Sequence, residues 1–215
     1  MALKKQSIRF FLSLSLLLLA LTSLFLNPIS ALALGDSAVL PTFTDFSNSV
    51  KNGQKDILRG VYVENVLALP VVQQPSGNSA FVSNSAGKVT QFSMASQFGN
   101  IGLLAHNHLA GAFFTQLAVG QEIRLVYGNR RVEIFVIKEV LKYQALQPTS
   151  VYSSFKNLDK DETLTVEQMF NRVYRGDQHL TLQTCIAADG NLSWGRLFVI
   201  AVPKENSLAF TRLSQ

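Results

Sequence analysis

Cysteine is almost absent: the 215-residue chain has one, Cys185. An intrachain disulfide framework and a thiolate-rich zinc site are both excluded by that count. Charge is scarce as well, at 15% of residues against a hydrophobic share of 47%, which is too apolar for a disordered chain or a polyelectrolyte. Clustered positive charge is also missing once the charges are located. The net charge is +5, from 19 Lys+Arg and 14 Asp+Glu, but Lys4, Lys5 and Arg9 supply three of the positives and no acid precedes Asp36. A balance of about +2 over the rest is no electrostatic footprint for phosphate, so nucleic acid is not an expected partner. Neither a glycine-rich nucleotide loop nor a metal-ligand cluster occurs, so no cofactor and no metal site is implied. Long hydrophobic runs are limited to one, near the amino terminus.

That run extends from Phe10 to Leu26, behind Lys4, Lys5 and Arg9, and is broken by Asn27-Pro28. Ala31-Leu32-Ala33 then has the small-x-small pattern of a signal-peptidase site. The run is long for a secretory core and short for a bilayer span. Residues 1–33 read as a signal peptide or an amino-terminal membrane anchor, with cleavage after Ala33 favoured. Either way the basic end stays inside and the remainder is extracytoplasmic, secreted or held at the membrane by its first segment.

Residues 34–57 are rich in Ser, Asn and Asp and read as a polar linker, with a short helix near Thr44 to Val50. From Leu58 short apolar runs alternate with turn residues. Strands are expected at Gly60–Leu67, Pro70–Gln73, Phe81–Ser83, Ile101–Ala105, Glu122–Tyr127, Arg131–Tyr143, His179–Ala187 and Trp194–Val202. Gly128-Asn129 signals a hairpin. One helix is strongly marked: Thr165 and Gln168 form a capping box, Val166, Met169, Phe170, Val173 and Tyr174 make a helical stripe, and Gly176 stops it. Single helical turns are expected at Phe113–Leu117 and Val151–Phe155. Eight short strands with few helices predict an all-β domain, a closed or nearly closed eight-stranded barrel over residues 58–205, followed by a tail at 206–215. Asp159-Lys-Asp-Glu162 lacks the spacing of a calcium loop and reads as a solvated turn.

A lone cysteine in an exported chain is an inert core residue, half of an intermolecular disulfide, or a reactive thiol. Cys185 stands near the end of the strand His179-Leu-Thr-Leu-Gln-Thr-Cys, just before the turn Ala188-Asp-Gly-Asn191, where a side chain is held rigidly yet within reach. A nucleophilic thiol needs a group to exchange protons with and a donor for the oxyanion. His106, His108 and His179 are the candidates for the first task. His179 lies roughly 20 Å away along the same strand and is a poor partner. His106 and His108 end the apolar run Ile101-Gly-Leu-Leu-Ala. Arg196 follows a turn that brings the next strand back alongside Cys185, and ahead of Leu197–Val202 it must be paired or face a cleft.

Together these residues resemble the sortase family, in an unusual subclass. Thr181-Leu-Gln-Thr-Cys185 matches the family signature T-L-x-T-C, Leu104-Ala-His106 resembles the small-residue-His motif upstream, with Ala105 where Gly is usual, and Arg196 follows in family order. Phe113-Phe-Thr-Gln-Leu and Val119-Gly-Gln-Glu-Ile are similar to the stretch after the catalytic His. The resemblance runs from about Val61 to Pro203. It implies the eight-stranded sortase barrel and a cysteine transpeptidase. Cys185 would attack a backbone carbonyl in a sorting signal to give a thioacyl-enzyme. His106, ahead of His108, would protonate the leaving amine. Arg196 would hold the oxyanion or substrate backbone, and Thr184, by its hydroxyl or its backbone, would also face the developing charge. The implied partners are exported proteins carrying a short sorting motif and an amine acceptor in the envelope or on a protein. A thiol peptidase with water as acceptor, and a non-catalytic secreted barrel that binds, are the other classes open to the sequence.

Overall fold

A computed structural model describes residues 40–205. The leader, its cut site, the start of the linker and the tail at 206–215 lie outside the described residues. Ten strands form one sheet: β1 (Leu58–Val63), β2 (Leu67–Gln73), β3 (Val89–Phe92), β4 (Ile101–Leu104), β5 (Glu122–Tyr127), β6 (Val132–Ala145), β7 (Phe155–Asn157), β8 (Thr163–Leu164), β9 (Leu180–Ala188) and β10 (Asn191–Pro203). The order is β10-β9-β4-β3-β2-β1-β5-β6-β7-β8, and β10 pairs with β6 as well. That pairing closes an eight-stranded barrel, and β7 and β8 extend from the far end of β6. The expected all-β barrel is the observed fold. Two neighbouring pairs, β2–β3 and β4–β9, are parallel, and the others are antiparallel.

Alternation along the strands sets what faces inward. On β9 and β10, Leu180, Leu182, Leu197, Val199 and Ala201 are buried and join Leu103 and Ile123 in the barrel core. The residues between them face out. Part of that outer face is covered by helix α3 (Val166–Tyr174); helix α2 (Ser93–Ser96) lies on the same side. The capping box of α3 is made as expected: the Thr165 hydroxyl accepts from the Gln168 N–H, and the Gln168 side chain accepts from the Thr165 N–H. Gly176, at φ 99°, follows its end. Met169, Val173 and Tyr174 press onto Leu141, Tyr143 and Phe198 in a second apolar cluster. The last two carbonyls of α3 are taken up by the barrel side. The Val173 carbonyl accepts from the Thr181 hydroxyl at 2.5 Å and faces a His179 ring nitrogen at 2.9 Å, while Asn100 donates to the Tyr174 carbonyl at 3.0 Å.

Within residues 34–57, helix α1 (Phe43–Ser49) forms near the expected position and seats Phe46 against Tyr62 and Val126. Several local expectations are corrected. Gly60–Leu67 is divided by a turn at 64–66, where Asn65 takes a left-handed φ of 59°, so the first run gives β1 and starts β2. Phe81–Ser83 is loop: the Ser83 N–H bonds the Thr90 hydroxyl at 2.9 Å rather than a strand neighbour. At 151–155 there is no helical turn, because Phe155 opens β7. The Asp159–Glu162 segment is a turn organised by Asn157, whose side-chain Oδ1 accepts from the N–H groups of Asp159 and Lys160.

Candidate active site

Cys185 and Arg196 form a row across β9 and β10, and His106 lies two residues past the end of β4, the strand on the other side of β9. Arg196 on β10 is the direct cross-strand partner of Cys185 on β9. On the other side, β4 runs parallel to β9 with Leu104 opposite Gln183, and the Ala105 N–H carries the ladder on to the Gln183 carbonyl at 3.2 Å. His106 follows two residues after Leu104, just beyond the last pair of that ladder. Cys185 and Arg196 belong to the outward set, and all three residues are half-buried. The His106 ring stacks on that of His108, centroids 5.5 Å apart and planes at 26°. His108 is the exposed member of the stack. His179 is elsewhere: it is buried and its ring nitrogens face the carbonyls of Asp177 and Val173.

Each side chain is set by its own local device. His106 is held through its backbone: its carbonyl accepts from the N–H groups of Leu109 and Gly111, both at 3.0 Å, at the start of a 3-10 helix, Ala110–Gln116. That helix seals the barrel end with Ala110, Phe114 and, just after it, Leu117. Its approach is so close that a Cβ on Gly111 would lie 2.8 Å from the His106 carbonyl oxygen, so only glycine fits there.

Arg196 is aimed by a bulge. Between the pairs Asn191–Ala188 and Gly195–Ile186, β10 advances four residues while β9 advances two. The surplus chain turns the Ser193 carbonyl toward the guanidinium, which donates from Nη1 to it and to the Gly195 carbonyl, both at 2.9 Å. Gly195 has no room for a side chain, since a Cβ would meet the Tyr143 carbonyl oxygen at 2.5 Å. Among the described residues Nε and Nη2 of Arg196 have no partner and are left for a ligand. Asn107 donates to the Leu192 carbonyl of the same bulge at 2.8 Å, joining the His106 loop to it.

Thr184 lies between Gln183 and Cys185 and so points the other way. It is 2% exposed, and its hydroxyl donates to the Ala105 carbonyl at 2.9 Å. That hydroxyl does not face the thiol; it ties β9 to the residue before His106.

Sequence reasoning did not find the groove beside this row. One step back along the same face, Leu104, Gln183 and Phe198 form a second row, and α3 rises above it with Val166, Met169, Phe170, Val173 and Tyr174. The space between is a groove of about 250 Å³ that runs up to Arg196. It is apolar except for Gln183 and Arg196. The signal for it was present in the stripe of α3, which reads equally well as packing. A larger concavity, between Val132–Phe135 and Pro203–Glu205, lies at the opposite end of β10 from Arg196 and contains none of these groups.

The model of the sortase domain matches residues 63–204. The chain belongs to the sortase family. Solved sortases are similar to it at low identity. A sortase A of Listeria monocytogenes is 13% identical, with 69% of this chain and 87% of that one covered and a TM-score of 0.44. A sortase D5 transpeptidase of Clostridium perfringens is 14% identical, covers 74% and 87%, and has a TM-score of 0.43. Sortase C-1 of Actinomyces oris is 12% identical, covers 76% and 82%, and has a TM-score of 0.45. No curated protein matches the chain. Sortases are cysteine transpeptidases, and this sortase has one cysteine to offer, Cys185. Among its described residues no helix is long and apolar enough to cross a membrane, and no group of His, Cys, Asp and Glu is placed to hold a metal ion.

Proposed function

We propose that this sortase transfers an acyl group from a sorting-signal peptide to an amine, outside the cytoplasm, through a thioacyl intermediate on Cys185. The observation that carries the reading is the cross-strand pair of Cys185 and Arg196, with Arg196 lining the end of an apolar groove and His106 just past the end of the neighbouring strand β4. The sorting peptide lies in that groove. Cys185 gives its thiol proton to His106, Sγ bonds to the carbonyl carbon of the scissile amide, and the π electrons move to oxygen. The open Nε and Nη2 donors of Arg196 stabilise that oxyanion. Collapse breaks the C–N bond, and the departing amine takes a proton from His106. The thioester then meets a second amine, which gives a proton to His106 as the new amide forms and the C–S bond breaks. With water as the acceptor the same steps give hydrolysis.

His106 takes the proton-transfer role over His108 because it comes two residues after Leu104, the partner of Gln183, and is the less exposed of the two stacked rings. Thr184 is a positioning residue, and the oxyanion is left to Arg196. Residues 1–33 export the enzyme and are then removed after Ala33 or hold it at the membrane, with residues 34–57 as the joining segment and the barrel from 58 to 205 as the catalytic domain. The deciding experiment incubates the protein with peptides taken from the tails of surface proteins of the same cell and weighs it. An adduct on Cys185 that is absent from Cys185→Ala supports the reading, and its absence with every peptide overturns it. Product masses with and without an added amine separate transfer from hydrolysis.

A further inference from the structure

The groove is apolar on both walls yet has an amide on its floor. Gln183 is half-buried between Leu104 and Phe198, on the same face as Cys185 and two residues before it, roughly 7 Å along the strand. Its side chain is not free to turn. The Tyr174 hydroxyl donates to its Oε1 at 2.5 Å, and Tyr174 is itself 3% exposed. Burial pushes the Tyr174 phenol far above its ordinary range, so it stays a neutral donor at any working pH. The tyrosine is fixed in turn, because its carbonyl accepts from Asn100, which also accepts the His179 N–H at 2.8 Å. With Oε1 occupied, what Gln183 presents to the groove is its Nε2 amino group, which has no hydrogen-bond partner among the described residues.

Resting on the acyl-transfer reading above, we infer that Gln183 is a specificity residue, and that this sortase selects a peptide whose groove-filling side chain carries a hydrogen-bond-accepting oxygen. An apolar side chain in that place would strip water from Nε2 and return nothing, which is the arrangement that rejects a ligand lacking the matching group. A hydroxyl or carboxamide oxygen would accept from it while the carbon part of the same side chain packs on Leu104 and Phe198. Positive charge is disfavoured by Arg196 at the end of the groove.

The test loads the full chain with a peptide library in which each acyl-side position is either apolar or its oxygen-bearing isostere, as Val or Thr, Leu or Asn, Met or Gln. Adducts on Cys185 are weighed. The native enzyme is expected to prefer the oxygen-bearing member at one position by about tenfold, the value of one hydrogen bond at a half-buried site. Gln183→Met, an isosteric change on a half-exposed position, is expected to reverse that preference while still loading. Tyr174→Phe, which frees the amide to rotate, is expected to narrow it. Native protein that loads with no such preference, or Gln183→Met with the native ranking, overturns the inference and leaves acyl transfer standing. Native protein that loads with no peptide of any kind overturns both.

Discussion

Asn107 donates to the carbonyl of Leu192 at 2.8 Å, across 85 positions of chain. The two ends of that bond belong to the two halves of the site: Asn107 follows His106, and Leu192 begins the bulge whose next carbonyl, Ser193, holds Arg196. Asn107→Ala is expected to keep the fold, because the bond is exposed, and to lower kcat about fivefold to tenfold, the value of one net hydrogen bond lost from alignment. Circular dichroism and steady-state kinetics check it. Asn107→Asp, which keeps an acceptor where a donor is required, should not rescue the rate.

Removal of the nucleophile and of the proton donor differ in kind. Cys185→Ala is expected to bring acyl transfer to background with an unchanged melting temperature, since the thiol is half-exposed and holds up no part of the core. His106→Ala should lower kcat by about 10²–10⁴, the range for a lost general acid–base group, and His108→Ala by far less. Reversal of that ranking in a kinetic comparison would move the role to His108.

Arg196→Lys keeps the charge but loses the fork. One ammonium cannot both reach the Ser193 and Gly195 carbonyls and leave donors for an oxyanion. A loss of about 10²–10³ in kcat is expected, as for one oxyanion donor, with a smaller change in KM. Single-turnover loading of Cys185 reads it directly.

The Thr184 hydroxyl is a structural bond, so its loss should show in stability. Thr184→Val leaves the Ala105 carbonyl without that partner in a buried place and is expected to cost about 1–3 kcal/mol. In a domain of this size that is a melting point lower by some 3–9 °C. Gly111→Ala should cost more, because the added methyl meets two backbone oxygens and the Thr184 hydroxyl at once. Thermal unfolding of both variants checks the order.

The barrel was legible because β9 and β10 are long and β10 is rich in β-branched and aromatic residues, and the α3 boundaries because a capping box and Gly176 enclose them. Short pieces were not: β3, β7 and β8 have four residues or fewer, too few for a period to declare itself. The residues of the row were named from a motif, yet their pairing across β4, β9 and β10 depends on register, which no local pattern encodes. Thr184 shows the difference. Its place in the motif pointed to the oxyanion, while the two-residue period of its strand turns its hydroxyl inward. Gln183 occupies the variable position of that motif, and its meaning emerges only with Tyr174 above it.

The parallel contact between β4 and β9 also has a kinetic side. It joins Leu104 to Gln183, while β1, β2, β5 and β6 meet their antiparallel neighbours through shorter connections. Closing so long a loop is entropically slow and comes after the local hairpins have formed. Until it closes, Cys185 has only Arg196 of its own β9–β10 hairpin for a neighbour, and the His106 loop is still apart. The two halves of the site therefore assemble at different times, Cys185 with Arg196 in a local hairpin and His106 only when the β4–β9 seam closes.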